Sequence, residues 1–216
     1  MKRLSQWVSA ALLSFLAVAA QAAPNFDENL LSLQEQWAHI NYEVPKDQKQ
    51  AQFKALDEQL QQLASANPGR PEPLIWRGIV LSTWAGAKGG LGALGLVKDA
   101  RTLFEQSLAL SQDALQGSAY TSLGSLYYQV PGWPIGFGDD QKAREMLEKA
   151  IRINPEGIDS NYFYADYWLD QGDYPKAKQY FSKALNAAAR PSRPIADAGR
   201  REEIRNKLEL VEKKLN

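Results

Sequence analysis

The chain has 216 residues, with 25 Lys and Arg against 25 Asp and Glu, 44% hydrophobic residues and no cysteine. The even charge balance gives nothing to draw in nucleic acid or an anionic membrane surface. The lack of cysteine excludes a disulfide framework, a thiolate metal site and a lipid-modified N-terminal cysteine.

The chain opens on "MKRLSQWVSAALLSFLAVAAQAA". Lys2 and Arg3, an apolar run from Val8 to Ala20 and the small-x-small triplet Ala20-Gln21-Ala22 have the form of a secretory signal peptide over residues 1–22, cleaved after Ala22. The run is shorter than the roughly 20 apolar residues of a span. The expected product is an exported soluble protein, periplasmic in a bacterium and not inserted in the membrane once the leader is removed. It forms one domain over residues 23–216, in which acidic groups outnumber basic ones by two.

A helical hairpin is expected over residues 27–66. Leu30, Leu33, Trp37 and Ile40 step by three and four behind Asp27 as N-cap; after Pro45, Phe53, Leu56, Leu60 and Leu63 do the same. The sole histidine, His39, lies on the first of these helices. A hydrolase built on it has no recognisable nucleophile motif, and a surface or structural role is the expectation.

Three longer units follow. In residues 71–115 the small Gly78 and then Leu81 precede Ala100, Phe104 and Ser107; in 117–155 Tyr120, Leu123, Gly124 and Tyr127 precede Ala143, Leu147, Ala150 and Pro155. In 158–191 Ala165 and Trp168 lead through the turn "QGDY" to Ala177, Phe181, Ala184 and Pro191. Ala143 to Ala165 spans 22 residues and Ala177 to Gly199 again 22, which makes Gly199 the small residue of a capping helix over 195–215.

Within the first unit, Gly90, Gly92 and Gly95 show the spacing G-x-G-x-x-G of a dinucleotide loop. That loop needs a strand before it, and a helical pattern stands there instead; the GK[ST] of a phosphate loop is also missing. The segment reads as an enlarged turn, "WAGAKGGLGALGL", matched in the second unit by "VPGWPIGFGDD".

The order of small residue, aromatic, A-x-x-x-F and closing proline resembles the tetratricopeptide repeat. The resemblance implies an all-α, right-handed solenoid of about eight or nine helices, in which small residues let paired helices approach and the hairpins stack. It also implies an interaction scaffold and not an enzyme, with no cofactor. Some members clamp a peptide carboxylate with basic residues on the inner helix faces. The matching positions here are Ile75, Ile79, Thr121, Ser125, Tyr162 and Asp166, so no such clamp is expected. A looser resemblance, carried by "GFGDDQKAREMLEKAI", is to exported repeat proteins associated with tripartite ATP-independent periplasmic (TRAP) transporters.

Two candidate sites follow. The enlarged turns carry Trp84, Leu91, Leu94, Trp133, Ile135 and Phe137, which either bind a partner or fold back over their own helices. An inner groove offers Tyr128, Tyr162 and Asp166. The expected ligand is a protein of unknown identity, with self-association or a small apolar ligand as alternatives. Arg190, Arg193, Arg200, Arg201 and Arg205 are expected on a solvated face beside Glu202 and Glu203.

Overall fold

The computed structural model describes residues 25–216, so the leader read in residues 1–22 lies outside it. Helical periodicity governs this whole span. Among the described residues there are nine α-helices, one short 3-10 turn and no strand: α1 (Phe26–Tyr42), α2 (Lys46–Ala66), α3 (Pro71–Lys88), α4 (Leu94–Leu110), α5 (Ala114–Gln129), α6 (Asp140–Ile153), α7 (Ile158–Asp170), α8 (Tyr174–Leu185) and α9 (Pro194–Leu215).

Local chemistry sets the helix ends. Asn25, and not Asp27, caps α1: its side chain accepts from the Glu28 amide at 3.0 Å while Glu28 reaches back to the Asn25 amide, a reciprocal capping box. Asp139 and Asp173 cap α6 and α8 by accepting from the Lys142 and Lys176 amides. Pro71, Pro175 and Pro194 sit in the first turns of α3, α8 and α9, where no amide donor is needed.

Successive helices pair as hairpins and the hairpins stack. Two of these pairings have a glycine at the point of closest approach. A Cβ on Gly78 would stand 2.5 Å from the Phe104 ring, and one on Gly124 would stand 2.5 Å from Leu147 Cγ. The core is filled by Phe53, Phe104, Leu147 and Phe181, which are fully buried.

The last helix does more than cap the stack. α9 packs on α8 and α7 and also reaches α1 at the opposite end of the chain. Gly199 is where this happens: a Cβ there would collide with the Tyr42 ring of α1. Ala196 of α9 is buried in the same cluster as Leu33, Trp37 and Trp76. The inner faces of α1, α3, α5, α7 and α9 therefore surround a common space.

Candidate functional site

The turn between α5 and α6 is wound tightly on itself. The Asp139 amide donates to Tyr127 O at 2.8 Å, Gly138 to Pro131 O at 3.0 Å, and Ile135 and Gly136 both to Gly132 O. Gly136 and Gly138 lie against the backbone of Pro131 and Val130, where a side chain has no room. This winding divides the apolar residues. Val130 is buried, and Phe137 turns inward, edge-on to Tyr127 at 5.8 Å with the Arg101 guanidinium 4.9 Å above its ring. Trp133 and Ile135 turn outward, 90% and 55% exposed.

The preceding turn is divided in the same way. Trp84 is still within α3, half-buried and packed against both core clusters, which is the folded-back alternative. Gly89 and Gly90 then take left-handed φ values of 66° and 62°, which glycine adopts at no steric cost. A 3-10 turn, Leu91–Ala93, leads into α4. Leu94 is half-buried against the core in the same way, whereas Leu91 is 78% exposed. A helix precedes the glycines and Gly95 lies inside α4, so the G-x-G-x-x-G spacing cradles nothing.

The expected groove is occupied by the protein itself. Tyr162 is buried, edge-on to Phe163 and Phe181. The Tyr128 hydroxyl donates to Asp166 at 2.8 Å, and Lys207 of α9 donates to the other oxygen of the same carboxylate at 2.6 Å. Burial, with Asp166 beside it, pushes the Tyr128 phenol well above its usual range. Tyr128 and Asp166 thus tie α5, α7 and α9 together. Ile75 is buried in the core; Ile79, Thr121 and Ser125 do face the inner space.

A polar cluster escaped the sequence reading. Asp159 of α7 accepts from Arg190 at 2.7 Å and from Arg200 at 2.9 Å; Arg190 also holds Asp197, and Arg200 also holds Glu203. Burial alone would raise the Asp159 carboxyl, but Arg200 and Arg190 hold it well below the usual carboxylate range. Arg201 donates to the Leu185 and Ala187 carbonyls at the end of α8. The expected solvated basic face is thus corrected: only Arg205, paired with Glu202, is an exposed surface pair. The available signal was the spacing. Arg193, Asp197, Arg200 and Ile204 step by four, three and four, one face of a helix.

His39 forms an exposed pair with Glu43, 2.7 Å apart. Among the described residues no acidic, His or Cys group could hold a metal ion, and no helix is long and apolar enough to cross a membrane.

A tetratricopeptide-repeat family model matches residues 135–156, the end of the α5–α6 turn and α6. No curated protein matches the chain. Similar solved structures include MamA, 21% identical over 80% of this chain and 95% of that one with a TM-score of 0.44. A thermophilic tetratricopeptide-repeat protein of Thermus thermophilus is 17% identical over 85% and 99% of the two chains, with a TM-score of 0.41. None of these findings supports the looser resemblance to TRAP-associated proteins. The matched segment, similar to a tetratricopeptide repeat, lies in a row of stacked helical hairpins.

Proposed function

We propose that the chain is an exported interaction module that holds a protein partner on its outer turns, with Trp133 as the anchor and Ile135 and Leu91 as further apolar contacts. One observation carries this reading: Trp133 stands 90% exposed on a turn whose backbone is fixed by its own hydrogen bonds and glycines. A large aromatic side chain held in place loses little freedom when a partner covers it, and such anchors dominate interface energetics. The capping and binding roles are shared out along one turn, with Phe137 and Val130 facing in and Trp133 and Ile135 facing out.

Export rests on the leader pattern of residues 1–22. Mass determination of protein expressed with that segment tests it, a mature start at Ala23 being the expected result. Partner binding is tested by capture from a cell-envelope extract with wild type and Trp133→Ala. Truncating an anchor of this kind costs about 2 kcal/mol or more, roughly a thirtyfold loss of affinity. Undiminished capture by the variant overturns the reading. Sedimentation of the purified protein distinguishes a foreign partner from a second copy.

A further inference from the structure

The space between the inner helices is a chamber with two lobes, of about 240 Å³ and 450 Å³. The smaller takes walls from α1, α3, α5, α7 and α9, and both share Trp76, Ser118, Thr121, Asp159 and Arg193. The larger falls in the range of small-molecule sites, roughly 300–1,000 Å³, and the smaller just below it.

Arg193 differs from its neighbours. Arg190 and Arg200 each hold two carboxylates. The Arg193 guanidinium lies 4.9 Å from the centre of the Trp76 ring, and its Nε is buried with no partner. Among the described residues Arg193 makes no ion pair and no side-chain hydrogen bond, so of the three arginines lining the chamber it is the one without a counter-ion in contact. Burial lowers its pKa, opposed by Asp159 and Asp197 and helped by Arg190 and Arg200.

Facing it is a row of hydroxyls. Ser82 and Thr83 of α3 donate to Gly78 O and Ile79 O, and Ser118 of α5 donates to Leu115 O. With their protons committed, the Ser82 and Ser118 oxygens present acceptor lone pairs, while the Thr83 oxygen already accepts from Trp37 Nε1 at 3.1 Å and keeps one lone pair. The second lobe is bounded by Leu115 and Gln116, which with Gly117 take φ values of 48°, 56° and 76°. Residues with a Cβ rarely adopt that conformation, and where they do, the outliers gather at ligand sites.

We propose that this chamber binds a small organic acid, whose carboxylate takes the free edge of Arg193 and whose hydroxyl or amide hydrogens meet the serine and threonine oxygens. A guanidinium edge suits a carboxylate held by paired hydrogen bonds. Asp159 and Glu203 on the same walls favour a singly charged acid over a doubly charged phosphate. The small volume favours a free molecule over an extended chain.

The probes are N-acetylserine, its uncharged amide, inorganic phosphate and a longer peptide ending in serine. They are titrated into the protein by calorimetry, with the fluorescence of Trp37 and Trp76, which line the chamber, as a second readout. N-acetylserine is expected to bind, and the amide roughly tenfold or more weakly, as for loss of a charge-assisted hydrogen bond. Arg193→Gln should reproduce that loss while circular dichroism shows it folded. Ser122→Ala, on the same wall, should weaken binding less and leaves the cation in place. Absence of N-acetylserine binding, equal affinity for the amide or an undiminished Arg193→Gln protein overturns the proposal. Preference for phosphate overturns the carboxylate assignment, and preference for the longer peptide overturns the free-acid assignment. Trp133→Ala should bind N-acetylserine as wild type does, which separates this site from the outer turn.

Discussion

Replacing Gly199 by alanine should destabilise the protein, although the same change elsewhere in a helix helps. Gly199 lies inside α9, where alanine is favoured over glycine by about 1 kcal/mol on helix propensity alone. Gly86 of α3 supplies the reference, because nothing lies within 4 Å of a Cβ built there. Gly86→Ala should therefore gain about 0.5–1 kcal/mol. At Gly199 the added methyl meets Cγ, Cδ1 and Cε1 of Tyr42, ring atoms close to its stem that cannot swing aside like a chain end. Tyr42 is itself held edge-on to Trp37 at 5.9 Å. Overpacking of this kind costs about 1–3 kcal/mol, so after the propensity gain the net expectation is a loss of up to about 2 kcal/mol. For a domain of this size that lowers Tm by up to roughly 8 °C. Urea and thermal denaturation of both variants give the answer. If Gly199→Ala is stabilised as much as Gly86→Ala, α9 does not close on α1, and the chamber loses a wall.

Asp159→Asn should cost about 2 kcal/mol in denaturation at neutral pH. This is less than for a fully buried pair, since each arginine keeps a second carboxylate and Asp159 is partly exposed. Because that carboxyl is depressed, its contribution is present above about pH 4 and lost as pH falls, so the variant's stability should depend less on acid than the wild type's. Burial, opposed by Arg200, pushes the Tyr42 phenol up to about 12; its contribution is complete below about pH 10 and lost as pH rises toward 12. Tyr42→Phe should accordingly flatten the alkaline fall in Tm.

The repeating hairpins were legible because they follow from local pattern. Gly78, Gly124 and Ala165, followed by the Ala-x-x-x-Phe or Ala-x-x-x-Leu of the next helix, announce both the helices and the faces that meet. The division within the enlarged turns was not, because Trp84 and Trp133 look alike as letters. Only the continuation of α3 past Trp84, and the winding of Pro131 to Gly138, decide which ring is covered. The contact of α9 with α1 lies still further from local pattern. It joins residues more than 150 positions apart, Tyr42 and Gly199, and turns a stripe of arginines inward to Asp159. Gly199 continues the series of small residues, but the repeat supplies no following helix to explain it. Tyr42 fills that place.

Presentation of Trp133 to a partner by the outer turn is decided by measuring capture and Tm on Trp133→Ala and Phe137→Ala together. Trp133 is 90% exposed, so its truncation should change stability by no more than about 0.5 kcal/mol while weakening capture roughly thirtyfold. Phe137 packs on Tyr127 beneath Arg101, and its loss should cost about 1–3 kcal/mol of stability. Equal capture by wild type and folded Trp133→Ala would contradict the account, whatever Phe137→Ala does.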